Sequence, residues 1–390
     1  MDFSLNEEQE MFRNYVRKCL NEAGQTMVAR EFTSGNTSGF LKLQRKLAEL
    51  GCTGITISEE YGGLGLGALD LVPVLEEFGR AVLPGSYLET MAFVVPLLEK
   101  YGTREQKETY LPEIAAGERS FSVAWVEPNK SYDPDVIACQ AEVKGNSLVI
   151  NGVKTLVPDG NHVDSLLLIV RTADKSVNGD GLSLVLIDVS EVTNLKTLSS
   201  LDETRNVTEI TFENVEVPMT HVLGEVNQGC SALKEGLLYL HAATSSVLVG
   251  SMDHIVEMST EYAKIREQFG QPIGRFQAIK HRIVDMKLDL ETARSLSHYA
   301  NWALDTNQQD KEAAIYSARA FATEANIRLA SHNIQNHGGI GFTMEMDCHL
   351  FLKRARFYEN YMGSISQFRE DVSKGLRWSD EKPSFQLTSK

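Results

Sequence analysis

The chain has 390 residues, 42% of them apolar, and it carries a formal net charge of −15 with a pI near 5.1. This length and composition are enough for two or three domains with a substantial core. The acidic balance argues against nucleic-acid binding and against contact with an anionic membrane. Any anionic ligand must therefore be held by local cationic groups.

Cysteine usage and the N-terminal sequence limit where the protein works. The five cysteines are odd in number and form no CxxC pair, so we expect no disulfide scaffold, no metal site and a reducing, cytoplasmic location. The first residues are acidic rather than basic and apolar, and no stretch approaches ~18 uncharged apolar residues. We therefore expect neither secretion nor membrane insertion.

The first 120 residues have the pattern of a helical domain. Ser4 and Glu7 form a capping-box pattern ahead of apolar residues near helical spacing, which predicts a helix at the start of the chain. Further helical segments are predicted from Asp70 to Arg80 and from Arg104 to Ala116. We predict an N-terminal helical domain over residues 1–120.

The following segment, residues 121–225, changes to short β-rich runs broken by turn residues. The predicted strands are 139–143, 147–150, 165–170, 182–187 and 207–212. Lys144-Gly-Asn146 and Asn151-Gly152 are typical of hairpin turns. We predict a small middle β domain.

Helical periodicity returns after residue 225. Between Gln277 and Leu304, apolar residues alternate spacings of four and three, which is typical of a helix in a bundle; they are Ile279, Ile283, Met286, Leu290 and Ala293. We predict a C-terminal helical bundle over 226–376 and a flexible tail over 377–390. The predicted fold class is α+β, mainly α.

Several sequence blocks occur in an order that is hard to obtain by chance. They are Glu60-Tyr-Gly-Gly-Leu-Gly-Leu66, Gly102-Thr-Arg-Glu-Gln-Lys107, Val126-Glu-Pro128, Asn151-Gly-Val-Lys154, Phe212-Glu-Asn-Val-Glu-Val-Pro218, Arg266-Glu-Gln-Phe-Gly270 with Gln277-Ala-Ile279, and Gln335-Asn-His-Gly-Gly-Ile-Gly-Phe342. By these blocks the chain resembles the flavin-dependent acyl-CoA dehydrogenases. The resemblance implies FAD as cofactor, a middle β-barrel domain and a C-terminal four-helix bundle. It also implies α,β-desaturation of a CoA or carrier-bound thioester, with an electron-transfer flavoprotein or similar acceptor.

The block at residue 266 combines a cation, an amide and an aromatic ring at a helix end. Gly270, Pro272 and Gly274 break the helix there, and guanidinium suits phosphate oxygens. By resemblance, the adenosine and diphosphate half of a neighbouring subunit's FAD is bound here; the residues are Arg266, Gln268, Phe269 and Gln277.

The block at residue 335 places three glycines in four positions. Glycines let backbone amides approach an anion closely, although glycines alone are equally typical of a tight helix-ending turn. By resemblance Gln335, Gly338 and Gly339 also contact the neighbour's FAD. The two blocks together imply at least a dimer, and by family habit a homotetramer or a heterotetramer with a related chain.

The flavin-ring side departs from the family pattern. Leu156 and Pro158 replace a tryptophan and a threonine that usually contact the ring, and proline has no N–H to donate. Backbone contacts from Val126 and Val157 are left to hold the ring. By resemblance Ser364 contributes a hydroxyl contact to FAD.

The position of the catalytic base carries no base. Met362 stands where the family usually has a glutamate, and Leu240 occupies the alternative location on an earlier helix. A thioether does not take up a proton, whereas the reaction requires removal of the proton α to the thioester. The candidate replacement bases are Glu359, Glu235 and His241, each of which is also well explained as an exposed or structural residue.

Three functional interpretations follow. The first is an FAD-dependent acyl-CoA dehydrogenase. The second is a base-deficient, non-catalytic subunit of a heteromeric acyl-CoA dehydrogenase, which lends FAD contacts to an active partner. The third is an enzyme on the same fold that does not desaturate its substrate.

Overall fold

The structure is a computed structural model that describes residues 5–174, 181–192 and 194–375. Helices come first, strands follow, and long helices close the described chain, which confirms the α+β, mainly α class. The domain boundaries at 120, 225 and 376 remain sequence predictions, and the element type changes near the first two. The predicted tail at 377–390 lies outside the described residues. In the described ranges, no helix has both the length and the apolar character needed to cross a membrane.

Seven helices make up the N-terminal part of the described chain. They are α1 Glu7–Glu22, α2 Met27–Thr33, α3 Ser38–Glu49, α4 Ala68–Arg80, α5 Tyr87–Glu89, α6 Val95–Tyr101 and α7 Arg104–Ala115. Between α5 and α6, residues Thr90–Val94 form a π-helical turn. Such turns occur often at functional sites, and this one follows the buried Glu89.

The predicted cap of the first helix is wrong. Asn6 caps α1, since its side chain accepts from Gln9 N at 2.8 Å and its own N–H donates to Gln9 Oε1 at 2.9 Å. Glu7 is already inside the helix, and Ser4 lies outside the described residues. Asn is as good an N-cap as Ser, so a later capping box sets the boundary.

The strands of the described chain form one main sheet. They are β1 Phe121–Ala124, β2 Gln140–Lys144, β3 Ser147–Pro158, β4 Ser165–Arg171, β5 Leu182–Asp188, β6 Asn194–Leu198, β7 Val207–Pro218 and β8 Val222–Leu223. The strand order is β6-β7-β3-β2-β4-β5-β8, and β1 pairs in parallel with β4. Gly145 and Asn146 connect β2 to β3 in a tight hairpin, as predicted.

The predicted hairpin turn at Asn151-Gly152 is wrong. Both residues lie inside β3, where the register against β7 shifts between Ile150 and Gly152. Gly152 has φ 152°, and a Cβ there would lie 2.7 Å from the Cys139 Sγ. The glycine therefore allows a β-bulge where the strand passes close to its neighbour.

The C-terminal part is built from long helices. They are α8 Gly229–Ile265, α9 Gln277–Asp305, α10 Lys311–His337, α11 Cys348–Glu359 and α12 Ile365–Gly375, with the short hairpin strands β9 Glu267–Gln268 and β10 Gln271–Pro272 between α8 and α9. In the predicted stripe of α9, Met286, Leu290 and Ala293 are buried, whereas Ile279 and Ile283 are half-buried. The largest apolar cluster joins these helices to the N-terminal ones and includes Met362.

Candidate active site

The chain makes a buried turn between α11 and α12. Met362 has φ 55° and Gly363 has φ 143°, in the region that favours glycine. A Cβ at Gly363 would lie 2.6 Å from the Phe368 ring. Met362 is only 3% exposed, so the position that the resemblance assigns to the base lies in the interior. A non-glycine residue in this conformation is uncommon, and such strain clusters at functional sites.

A buried guanidinium holds the backbone of this turn. One terminal nitrogen of Arg319, on α10, donates to Tyr358 O at 2.8 Å and to Tyr361 O at 3.2 Å. Its other terminal nitrogen donates to Thr323 Oγ1. Burial lowers the pKa of Arg319 to about 10, against the opposing effect of Tyr358 and Tyr361. Arg319 is still a cation at neutral pH.

A second buried polar cluster lies next to the turn. Glu89 Oε1 accepts from the Tyr361 hydroxyl at 2.6 Å and from Arg205 at 2.6 Å, and all three residues are buried. Glu89 Oε2 has no hydrogen-bond partner in the described residues. Arg205 also forms an ion pair of 2.6 Å with Asp159. This cluster therefore connects α5, the β3 end and the turn.

The charges of this cluster shift the pKa values of its members. Burial disfavours the cation of Arg205, but Asp159 and Glu89 outweigh it and raise the pKa well above its ordinary value. Burial raises the pKa of Asp159 to about 6, although Arg205 opposes the rise. Two carboxyls thus share one guanidinium, and the pKa of Asp159 lies close to neutral pH.

An aromatic pair covers the turn from the strand side. The Tyr132 ring stacks edge-on against Trp125 with centroids 5.2 Å apart. Burial raises the pKa of Tyr132 to about 12, with a hydrogen bond to the Met362 backbone acting in the opposite direction. The Tyr132 hydroxyl therefore stays protonated at neutral pH and lies against the Met362 backbone.

The two carboxylate candidates for the base are engaged in ion pairs. Lys100 Nζ donates to both oxygens of Glu235 at 2.7 Å, and the Tyr101 hydroxyl donates at 2.5 Å. Burial acts to raise the pKa of Glu235, but these two partners outweigh it and lower the pKa. Glu359 forms a surface ion pair of 2.9 Å with Arg356. Neither carboxylate has a contact with Met362 among the hydrogen bonds and ion pairs of the described residues.

The third candidate, His241, lies in an aromatic enclosure. Its ring is 4.8 Å from Phe368 and 5.7 Å from Tyr316, centroid to centroid, and it is buried. Burial, with the charge of Arg319, lowers the pKa of His241 well below its ordinary value, so the imidazole is neutral. Its Nδ1 has no hydrogen-bond partner in the described residues. His241 thus has a free nitrogen but belongs to the apolar wall on α8.

The predicted FAD corner lies on the surface at the end of α8. Arg266, Gln268 and Gln277 are exposed, and Phe269 is 91% exposed with φ 53°. Phe269 touches Phe276 edge-on, with ring centroids 6.0 Å apart. Ile265, at the end of α8, is also 74% exposed, and exposed apolar residues that lie together favour contact with another molecule.

The second predicted FAD block lies beside the first. Gln335, Gly338 and Gly339 are exposed at the end of α10, and a Cβ at either glycine would meet nothing within 4 Å. Tyr262, near the end of α8, stacks on His337 with centroids 4.3 Å apart. The structure therefore brings the two blocks together at one end of the bundle.

Two further cations lie at this corner that the sequence analysis did not select. Arg275 and Lys280 line an apolar groove with Ile283 and Val284, and neither forms an ion pair with another described residue. Arg266 is likewise without an ion pair. In a chain with a net charge of −15, unpaired cations in one place favour an anionic ligand.

The residues predicted to contact the flavin ring offer fewer hydrogen-bond donors than the two exposed blocks. Val126 O accepts from Thr155 N at 2.8 Å, and Pro158 O accepts from the Ser122 hydroxyl. The Val157 side chain is buried in the core of the sheet. Ser364 is half-buried, and its hydroxyl accepts from Gln367 N at 3.3 Å at the start of α12.

Two domains of one family match the chain. The N-terminal domain of acyl-CoA dehydrogenases matches residues 6–118, and the C-terminal domain of acyl-CoA dehydrogenases matches residues 227–376. The Bacillus subtilis protein named "Probable acyl-CoA dehydrogenase YngJ" is 30% identical over 96% of this chain and 100% of its own length. The chain belongs to the acyl-CoA dehydrogenase family.

Further relatives agree with this membership. Mitochondrial isovaleryl-CoA dehydrogenase of Solanum tuberosum is 32% identical over 86% of this chain and 82% of its own length. The solved complex of glutaryl-coenzyme A dehydrogenase with glutaryl-CoA superimposes with a TM-score of 0.89 at 27% identity, over 96% of each chain. The acyl-CoA dehydrogenase family consists of flavoprotein oxidoreductases, and its cofactor is FAD.

The residues of this acyl-CoA dehydrogenase fit one half of FAD better than the other. At the corner predicted for the ADP half, exposed glycine backbone and the cations Arg266, Arg275 and Lys280, which form no ion pair with another described residue, suit a diphosphate. At the ring half, Pro158 lacks an N–H and Leu156 offers no polar group. The residues predicted for the ADP half therefore offer more polar contacts than those predicted for the ring half.

The sequence analysis missed the buried polar residues of the site. Glu89 follows Leu88 and precedes the apolar run 91–98, and Arg319 stands between Ala318 and Ala320. A lone charge in an apolar helical segment is the signal that would have found both, because such a residue is rarely buried without a purpose. The partners Asp159 and Arg205 come from distant segments, so no local pattern connects them.

Proposed function

We propose that this protein is an FAD-dependent dehydrogenase that forms an α,β double bond in a CoA or carrier-bound thioester. The observation that carries the proposal is the buried turn at Met362, whose backbone is held by Arg319 and whose neighbour Tyr361 is fixed by Glu89. By the sequence resemblance, Met362 in this turn stands where the family usually has its catalytic glutamate. A polar, ordered turn at that place, in the absence of its carboxylate, supports a retained thioester site.

The Met362 backbone and the Met362 side chain have separate roles in the proposed reaction. The N–H of Met362 donates a hydrogen bond to the thioester oxygen, which favours charge on that oxygen when the α-proton leaves. Bound FAD supplies the acceptor for the hydride from the β-carbon. The Met362 thioether keeps water away from the α-carbon but takes no proton. The α-proton therefore goes to Glu359, Glu235 or His241 in this chain, or to a carboxylate of a related chain in a heteromer.

The FAD is held from two sides in this proposal. The neighbouring subunit supplies the ADP-half contacts through Arg266, Gln268, Phe269, Gln277, Gln335, Gly338 and Gly339. The chain's own Val126, Val157 and Ser364 lie along the ring half. The functional unit is therefore a homotetramer or a heterotetramer with a related chain, and electrons leave to an electron-transfer flavoprotein or similar acceptor.

A second possibility follows from the contacts that engage the candidate bases. Glu235 and Glu359 are engaged in ion pairs, and His241 is enclosed by aromatic rings. If none of them acts, this chain is the base-deficient subunit of a heteromer and a related chain carries the carboxylate. The two possibilities differ in whether the protein alone desaturates a thioester.

The test is an anaerobic titration of the purified protein with a panel of saturated acyl-CoA thioesters, followed by visible absorbance. Bleaching of the flavin band by one class of thioester names the activity and the substrate class. A flavin-loaded protein that is bleached by dithionite but by no thioester contradicts desaturation by this chain alone. Adding a base-bearing relative expressed from the same source then tests the heteromer.

A further inference from the structure

Arg319 is a buried cation without an acidic partner. It is fully buried on α10, and no ion pair of the described residues includes it. A buried guanidinium is costly unless its donors are satisfied. By comparison, the buried Arg205 and Arg354 each pair with a carboxylate, Glu89 and Asp202 respectively. The two terminal nitrogens of Arg319 instead donate to oxygen atoms without a formal charge, and its Nε has no hydrogen-bond partner in the described residues.

Two of these acceptors are backbone carbonyls from one short stretch of the chain. Tyr358 O is among the last four carbonyls of α11, which have no partner within the helix, and a cation is favourable at that end. Tyr361 O, two residues beyond the helix, is the second acceptor. Thr323 and the Phe368 ring, whose centroid is 5.1 Å from the guanidinium carbon, fix the plane of the fork.

The second acceptor matters because of the peptide bond to which it belongs. The Tyr361 carbonyl and the Met362 N–H are the two ends of one peptide group, and no cis peptide occurs in the described residues. In a trans peptide the C=O and N–H point in opposite directions. Arg319 on the carbonyl side therefore directs the Met362 N–H away from α10. A hydrogen bond between Tyr132 and the Met362 backbone acts to lower the pKa of the Tyr132 hydroxyl.

A cation hydrogen-bonded to the Tyr361 carbonyl oxygen also changes how well the Met362 N–H donates a hydrogen bond. A cation hydrogen-bonded to a peptide C=O polarises the group, and chains of hydrogen bonds strengthen one another in a low dielectric. The Met362 N–H thus becomes a better donor than a peptide N–H of the same geometry without such a partner. This effect does not require any particular side chain at residue 362.

We propose that Arg319 is a positioning residue that aims and polarises the Met362 N–H toward the carbonyl oxygen of a bound thioester. The inference rests on the proposed function, which assigns that N–H to the thioester. It explains how thioester binding persists in a chain whose base position carries methionine. Arg319 itself does not touch the substrate.

The test uses the full-length, FAD-loaded protein and acetyl-CoA labelled with ¹³C at the thioester carbonyl. Acetyl-CoA has no β-carbon, so it reports binding without desaturation. We expect the infrared band of the bound carbonyl to lie at lower frequency than that of free acetyl-CoA. In Arg319→Met we expect that downshift to disappear and acetyl-CoA to bind about tenfold more weakly. Arg319→Lys keeps the positive charge but not the planar guanidinium with its two terminal nitrogens, so it should retain only part of the downshift.

The matched control is Arg354→Met, which removes another buried guanidinium near Tyr358 but touches neither Tyr361 O nor Met362. It should keep the full downshift in whatever fraction folds. If Arg319→Met does not fold, Arg319→Lys carries the comparison. A full downshift in a folded Arg319 variant overturns the proposal.

A measurement without ligand separates this inference from the proposed function. In protein labelled with ¹⁵N-methionine, the Met362 amide signal, assigned with Met362→Leu, should shift and exchange faster with solvent in Arg319→Lys but not in Arg354→Met. An unchanged amide in Arg319→Lys overturns the positioning role. If the Met362 amide of the native protein exchanges slowly with solvent but bound acetyl-CoA shows no carbonyl downshift, the result counts instead against the thioester site.

Discussion

The hydroxyl of Tyr361 donates a hydrogen bond of 2.6 Å to the buried carboxylate of Glu89. The bond crosses from the turn after α11 to the last residue of α5, directly before the π-helical turn, over 272 residues of sequence. Since Arg205 donates to the same oxygen, one carboxylate fixes the position of Tyr361 relative to the strands. The turn that carries Met362 is thus held from both sides.

Loss of this hydroxyl should destabilise the protein. Tyr361→Phe leaves a buried carboxylate with one donor fewer, at a cost of about 1 to 3 kcal/mol in the free energy of unfolding. Tyr358→Phe is the matched control, because its hydroxyl meets only Tyr87 at 3.4 Å. We expect the control to lose clearly less in urea unfolding. Equal losses in the two variants would show that the Glu89 bond adds nothing.

Asp159 should give the stability a defined pH dependence. Burial raises its pKa from the ordinary 3.8 to about 6. A raised carboxyl pKa means that the folded state binds the proton more tightly. Its contribution to stability is therefore complete below the unfolded pKa and is lost as the pH rises through the folded one.

Asp159→Asn removes this titration. Between about pH 4 and pH 6, urea unfolding of the native protein should show stability declining relative to that of Asp159→Asn. Asp164→Asn, at an exposed carboxylate in the same region, is the control. Parallel pH profiles for the native protein and Asp159→Asn would be incompatible with a buried, shifted Asp159.

Arg266→Ala should weaken retention of FAD. A charge-assisted hydrogen bond to phosphate is lost, so we expect affinity to fall about tenfold to a hundredfold in a titration of the apoprotein with FAD. FMN, which lacks the ADP half, should bind weakly to both forms. Arg104→Ala, which removes an exposed cation on α7, should leave FAD affinity unchanged. Unaltered affinity in Arg266→Ala would remove this corner from the cofactor site.

The apolar surface of α9 should be an interface between subunits. Leu288 is 61% exposed on this helix, and Val284 lies one turn before it. Leu288→Asp should shift the oligomer toward smaller species in light scattering at micromolar concentration. Leu201→Asp, at a leucine that is 63% exposed outside the helical bundle, should not. A native protein that is a stable, FAD-saturated monomer would refute the interface.

The sequence predicted the elements better than the site. Helical period located α9 and the hairpin glycine located the β2–β3 turn, because both signals are local. Asn151-Gly152 was wrongly predicted to be a turn. The same dipeptide also occurs at a β-bulge, where a glycine is needed because a neighbouring residue, here Cys139, lies too close for a side chain. That neighbour is known only after the sheet is formed.

Site residues that lie in local sequence motifs could be predicted from the sequence. These are Met362 and the residues of the exposed blocks at 266 and 335. Glu89, Arg205 and Arg319 act through contacts between segments that are distant in the sequence, such as Arg319 to Tyr361 at a separation of 42. No pattern in one chain encodes such pairs. The direction of the Met362 N–H depends on one of these contacts.

The most direct measurement of the account is the desaturation rate of Met362→Glu, beside the native protein and Met362→Gln, with the acyl-CoA that bleaches the flavin most. Glutamine is isosteric with glutamate but does not take up the proton, so it separates basicity from shape. We expect slow turnover for the native homo-oligomer and for Met362→Gln, and a gain of about 100-fold to 10,000-fold for Met362→Glu, the usual contribution of a general base. A native homo-oligomer that already turns over as fast as Met362→Glu would contradict the central claim that the chain lacks a base of its own and would rule out the base-deficient subunit; Glu359→Gln, Glu235→Gln and His241→Ala would then locate the base.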